Sequence, residues 1–243
     1  MRIIVEKNYE AMSKRAAEEI AKVVNNKPNC VLGLATGSTP EGLYKELISL
    51  NKEEKVDFSK VTSVNLDEYV GLSGEHPQSY RYFMNTNLFN HINIDKSRTF
   101  VPNGLVKDIE EECKRYDERI NELGGIDIQL LGIGNNGHIG FNEPSEFLYM
   151  GTHLTGLAES TIEANSRFFD SMDEVPKKAI TMGLGGIMKA KKILLIANGE
   201  KKAEIIAKLV EGKISTQIPA SILQVHHDVT IIVDEAAASL IKK

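Results

Sequence analysis

The chain is poor in the features that mark several protein classes. It has only two cysteines, Cys30 and Cys113, in 243 residues. Cys30 lies in an apolar run and Cys113 in a charged helical pattern, which argues against a disulfide scaffold. There is no apolar run long enough to span a membrane, and the N-terminal Met1–Val5 turns charged too soon for a signal peptide. Positive charge is not in excess: the formal net charge is −5 and the pI about 5.8. A nucleic acid or an anionic membrane is therefore not the expected partner. His226 and His227 are adjacent, so their side chains diverge, and no Cys/His ligand spacing occurs. No metal and no cofactor is expected, and the expected location is the cytoplasm. Repeats, low-complexity tracts and Pro/Gly-rich linkers are also missing, so residues 1–243 read as one domain, with a less regular segment at 144–176 that could be a lid or a plain surface excursion.

What is present alternates. Apolar runs at Ile3–Val5, Cys30–Ala35, Val61–Leu66, Thr99–Val101, Ile126–Leu131, Ala179–Met182, Ile193–Ala197 and Val229–Val233 read as strands. Helical patterns fall at Tyr9–Val24, after Pro40, and at Ser79–Phe89, Asp108–Glu122, Glu200–Val210 and Glu235–Ile241. Continuous apolar strands separated by helices imply an α/β fold, a doubly wound, mostly parallel sheet with helices on both faces.

In such sheets ligands bind outside the carboxyl ends of the strands, and three polar segments stand at those ends. Gly33–Gly42 runs from strand through Gly37, Ser38 and Thr39 into a helix, a place where backbone N–H groups and hydroxyls can hold an anion. Its spacing is not that of a Walker A loop, and a capped helix start is the plain alternative. Asn65-Leu66-Asp67-Glu68-Tyr69 puts two acids after a buried strand. Only one can face a site, and Asp67 is the better candidate for a desolvated base, with a polar turn as the alternative. Leu131–Pro144 contains Gly132, Gly134 and Gly137 in a G-x-G-x-x-G spacing, but no helical pattern follows, which argues against a dinucleotide. A tight loop carrying His138 near Glu143 is the better account, since a carboxylate can fix the tautomer of a histidine and raise its basicity. Arg167, beside aromatics, and Lys202, opening a helix, could share an anion or be ordinary surface cations.

Gly33–Gly42, Val64–Tyr69, Leu131–Pro144 and Ala164–Phe169 together resemble the glucosamine-6-phosphate deaminases, essentially from end to end. The resemblance implies a small phosphorylated amino sugar as substrate and Asp67 as the base at its C2 proton. It implies that His138 assists ring opening with Glu143 orienting it, and that Gly37, Ser38, Thr39, Gly137, Arg167 and Lys202 hold substrate and phosphate. Asn136 stands where some members carry an aspartate, leaving His138 to lean on Glu143. Some relatives are hexamers activated by N-acetylglucosamine 6-phosphate through an arginine and a lysine; here His153 and Thr155 occupy those places. A monomer without that activation is expected, a homo-oligomer being the alternative. A phosphosugar lactonase or isomerase of the same fold is the nearest rival, and a non-catalytic sugar-phosphate sensor a more distant one.

Overall fold

A computed structural model describes residues 1–157 and 175–242. Seven parallel strands make the main sheet: β1 (Arg2–Glu6), β2 (Val31–Leu34), β3 (Thr62–Asn65), β5 (Thr99–Phe100), β6 (Ile128–Leu131), β9 (Ile193–Ala197) and β10 (Val229–Asp234). Their order is β1-β10-β9-β6-β2-β3-β5. The chain thus winds outward from the centre in both directions, β2 to β3 and β5 on one side, β6 to β9 and β10 on the other. Strands β2, β6, β9 and β10 are buried along their whole length, as continuous apolar runs covered on both faces should be.

Local chemistry sets the helices. Helix α1 (Tyr9–Asn26) starts where Asn8 accepts a hydrogen bond from the Ala11 N–H, and its Met12, Ala16, Ile20 and Val24 recur every four residues on the buried face. Helix α2 (Glu41–Lys52) follows the Pro40 turn and packs on α1. Helix α4 (Ile109–Glu122) is capped by Asp108 and carries Glu110, Glu111 and Glu112 in its first turn, where the helix dipole favours anions. The expected helix at Ser79–Phe89 is split into α3 (Tyr80–Met84) and a π-helical turn (Asn85–Phe89). Short α5 (Leu184–Met188) precedes β9, and α6 (Ala203–Val210) follows a 3₁₀ turn at Glu200–Lys202.

Two expectations need correction. Glu235–Ile241 forms successive turns, not a helix: Asp234 caps their start by accepting the Ala237 N–H, and the Gly199 N–H as well, but seven residues are too few to repay helix nucleation. The strand expected at Ala179–Met182 exists as β8 (Lys178–Thr181), but outside the parallel sheet. It pairs antiparallel with β4 (Asp67–Tyr69) and β7 (His153–Gly156) in a three-stranded sheet. Leu66 joins the two sheets: its N–H donates to Leu34 O of the main sheet, and its carbonyl accepts from the Met182 N–H at 2.7 Å. Most of the 144–176 segment lies outside the described residues; its described part carries β7. Among the described residues, no helix is long and apolar enough to cross a membrane.

Candidate active site

The direction of winding changes between β2 and β6, which hydrogen-bond as neighbours. Loops leaving the carboxyl ends of two such strands diverge and leave a crevice. Here the loops are 35–40 and 132–141, and between them lies a cleft of about 560 Å³. Its walls include Thr36, Gly37, Ser38 and Thr39 from the first loop, His138 from the second, and Asp67 from β4. A second hollow of about 420 Å³ beside α4 has one carboxylate, Asp117, already bound to the N–H and hydroxyl of Thr152, and no histidine. The crevice is the better place for acid–base chemistry.

Ser38 and Thr39 sit in the turn that enters α2, with Ser38 exposed and Thr39 donating its hydroxyl to Asn198 Oδ1 at 3.1 Å. Lys202 reaches the same cleft from the 3₁₀ turn after β9, while Lys201 is exposed. Its Nζ donates to Ile133 O at 2.7 Å, and burial pulls its pKa below the usual lysine range. A half-buried ammonium held by one neutral carbonyl gains from an arriving anion. Arg167 lies outside the described residues.

Strand geometry separates the two acids. Asp67 and Glu68 are consecutive on β4, so their side chains leave opposite faces. Asp67 is buried in the cleft wall, and burial first, then the neighbouring Glu68 charge, raises its pKa to about 8. Glu68 turns away to the start of α3: Oε1 accepts the Tyr69 and Tyr80 N–H groups at 2.8 and 2.9 Å, and Oε2 that of Arg81 at 2.9 Å. Burial lifts the Glu68 pKa even so, against the pull of these amides and of the Arg81 guanidinium. Replacing Glu68 by Gln removes the like charge behind Asp67. The acid limb of the kcat/KM profile is then expected to move about one unit towards lower pH. It is also expected to destabilise the fold by roughly 1–3 kcal/mol, because an amide cannot accept all three N–H groups. An acid limb that stays in place in a folded Glu68→Gln protein would refute the electrostatic part.

The second loop forms a small network. His138 Nδ1 lies 3.0 Å from Glu143 Oε1, close enough for charge attraction although the pair is not aligned as a full hydrogen bond. Asn136 donates to the other carboxylate oxygen, Glu143 Oε2, at 2.6 Å, and its own oxygen accepts from the His138 N–H at 3.2 Å. Burial would raise the Glu143 pKa, but His138 and Asn136 together pull it below the usual range. Asn136 therefore acts on Glu143 and on the loop, while His138 faces one carboxylate. The imidazole lies directly over Gly134, where any Cβ would come within 2.3 Å of the ring.

Gly137 departs from expectation. It is buried and does not line the cleft: its φ is +90°, a Cβ there would sit 2.8 Å from Ile218 Cγ2, and its carbonyl accepts the Ala220 N–H. Its part is to turn and pack the loop. One cleft residue carries no signal in the sequence, Tyr80, whose ring stacks at 6.1 Å on Phe141 of the Leu131–Pro144 segment. Tyr80 follows the helix cap Ser79 and becomes a wall only because Glu68 holds the first turn of α3 against β4. Among the described residues, no group of three or more His, Cys, Asp or Glu side chains could hold a metal ion.

Comparison with known proteins places this geometry. The model of the glucosamine-6-phosphate isomerases/6-phosphogluconolactonase family matches residues 5–232. A glucosamine-6-phosphate deaminase of Clostridium perfringens (strain 13 / Type A) is 69% identical, and one of Clostridium beijerinckii 61% identical, each over 100% of both chains. Among solved structures, a monomeric glucosamine-6-phosphate deaminase superposes with a TM-score of 0.95 at 51% identity, covering 99% of this chain and 100% of that one. A 6-phosphogluconolactonase from Leishmania guyanensis, 19% identical with a TM-score of 0.74 over 100% and 99%, shares the fold. The chain belongs to the family of glucosamine-6-phosphate isomerases and 6-phosphogluconolactonases.

Proposed function

We propose that this chain converts glucosamine 6-phosphate and water to fructose 6-phosphate and ammonia, a step of amino-sugar breakdown in the cytoplasm. The observation that carries the reading is the placement of Asp67. It is a buried carboxylate with a pKa near 8, in one cleft with His138 and the Thr36–Thr39 turn. A desolvated carboxylate is a strong base towards a carbon acid, which is what an aldose–ketose shift requires. Lactone hydrolysis has no carbon-bound proton to remove, and the deaminases at 61–69% identity favour the same choice.

The steps balance with the residues present. His138 moves a proton between the anomeric hydroxyl and the ring oxygen, opening the pyranose to the aldehyde. The Asp67 carboxylate takes the C2 proton, the electron pair shifts into the C1–C2 bond, and the carbonyl oxygen takes a proton from the substrate's own C2 ammonium, giving an enolamine with a hydroxyl on C1. The same carboxyl returns the proton to C1, the nitrogen at C2 becoming an imine. Water adds to C2 and ammonia leaves. The phosphate, held by Ser38, Thr39, Lys202 and Arg167, is remote from these carbons, so its binding energy keeps the open chain in a reactive pose.

The test is ammonia release from glucosamine 6-phosphate beside the unphosphorylated sugar and 6-phosphogluconolactone. Release from the phosphorylated amino sugar alone is expected; hydrolysis of the lactone without ammonia release would overturn the reading. Lys202→Ala is expected to weaken productive binding by about 1.5–3 kcal/mol, the range for a hydrogen bond to a charged group. Equal effects on phosphorylated and unphosphorylated sugar would place the lysine elsewhere.

We also infer a monomer with hyperbolic kinetics. On β7, His153 stacks on Tyr149 at 4.4 Å and burial lowers its pKa, so it is neutral near pH 7; Thr155 brings no charge. Such a strand lacks the permanent cations that a second sugar phosphate would need there. Substrate titration with and without N-acetylglucosamine 6-phosphate should give superimposable curves. A sigmoidal curve made hyperbolic by that compound would contradict this.

A further inference from the structure

The turn assigned to the phosphate is held from outside the cleft. Tyr9, the first residue of α1, is not among the cleft walls, yet its hydroxyl makes two contacts with this turn and one with the start of α2. It donates to the carbonyls of Ser38 and Thr39, each at 3.1 Å, and accepts the Gly42 N–H at 2.8 Å. A phenol has one proton and two lone pairs, so one proton shared between two carbonyls and one accepted N–H engages it from both sides.

The consequence follows from peptide geometry. In a trans peptide the carbonyl and the next N–H point in opposite directions. Drawing the Ser38 carbonyl towards Tyr9 therefore turns the Thr39 N–H the other way, to the side on which Ser38 and Thr39 line the cleft. The Thr39 carbonyl is followed by Pro40, which has no N–H to offer, and it too is kept on the Tyr9 side. Two carbonyl dipoles that would repel an anion are thus masked, and a donor is presented. The fit leaves little slack: a Cβ at Gly42 would come within 2.9 Å of the Tyr9 hydroxyl and 2.4 Å of Ser13 Oγ.

We propose that Tyr9 is a positioning residue for phosphate recognition, its hydroxyl fixing the Ser38–Thr39 peptide so that the turn presents N–H groups and not carbonyls to the anion. This rests on the reading of that turn as the phosphate seat. The effect belongs to binding, not to the proton transfers, so it separates KM from kcat.

The experiment compares Tyr9→Phe with wild type and with Ser13→Ala. Ser13 lies on the same face of α1 against α2, its hydroxyl is buried without a partner, and it makes no bond to the turn. Tyr9→Phe is expected to raise KM for glucosamine 6-phosphate on the order of tenfold with kcat little changed, the loss of one well-made hydrogen-bond set. The dissociation constant of inorganic phosphate, read by calorimetry, should rise by the same factor, and Ser13→Ala should leave both constants in place. Unchanged constants in Tyr9→Phe, a matching loss in Ser13→Ala, or a fall confined to kcat would overturn the proposal. Should Tyr9→Phe not fold, Gly42→Ala in the Ser13→Ala background pushes the same hydroxyl off the turn; it must show the same rise in both constants. Calorimetry with phosphate needs no turnover, so a wild type that binds phosphate without releasing ammonia would overturn the reaction alone, and the phosphate constants of Tyr9→Phe and Ser13→Ala would still decide the role of Tyr9.

Discussion

Asp67→Asn is expected to abolish turnover while leaving substrate binding largely intact. General-base catalysis alone contributes roughly 10²–10⁴-fold, and here one carboxylate serves both the removal at C2 and the return at C1. The measurement is release of tritium from C2-labelled substrate, which reports the first transfer separately from ammonia release. Near-normal tritium release in the variant would remove Asp67 from the mechanism. The wild type should show the matching pH dependence, with kcat/KM rising through about pH 8 as the free carboxyl ionises. The same group sets a stability effect of opposite sign. A carboxyl whose folded pKa lies above its unfolded value, about 3.9, favours the folded state only while protonated. Its contribution is present in full below the unfolded pKa and is lost as pH rises through about 8. Asn imitates the protonated form at every pH. The variant should therefore melt with the wild type near pH 4 and above it by pH 8, the usual exchange of activity for stability at a strained site. A melting difference that did not grow with pH would mean that Asp67 is not desolvated.

The parallel sheet is legible because its strands are buried on both faces. Ile193–Ala197 and Val229–Val233 leave no polar alternation that could be mistaken for anything else, and the polar motifs fall where those runs stop. The second sheet is not legible, for a physical reason. Strand β4 is Asp67-Glu68-Tyr69 and β7 is His153-Leu154-Thr155-Gly156; both are short, largely polar and held by antiparallel partners far away in sequence. Nothing local marks them, although this sheet is what sets Asp67 in the cleft wall and sends Glu68 behind it. The same holds for Tyr80 and Tyr9, whose roles depend on the Glu68–α3 contact and on α1 meeting the turn before α2. At the other extreme, Glu235–Ile241 has an alanine-rich helical pattern, but seven residues are too few to repay costly helix nucleation even with Asp234 accepting the Ala237 N–H.

His138→Asn should lower turnover by roughly 10²-fold or more, the scale of a positioned acid–base group, but through a different step. Its Nδ1 faces Glu143 Oε1 at 3.0 Å, so Nε2 is the nitrogen placed to shuttle a proton between the ring oxygen and the anomeric hydroxyl. Glu143, with a pKa held below the usual carboxylate range, remains charged across the working pH and keeps the proton on Nδ1. Loss of the imidazole should then starve the enzyme of open-chain substrate without touching the base at C2. An acyclic amino-alditol phosphate, already open, should bind the variant and the wild type alike. Glu143→Gln keeps the size of the side chain but removes the charge that faces the imidazole, so it should reproduce part of the loss. Combined with His138→Asn it should add little, because both changes disable one unit and such effects are not additive. Two losses that multiplied in the double variant would show that Glu143 acts on the substrate itself, and weakened binding of the acyclic mimic would move His138 from ring opening to substrate recognition.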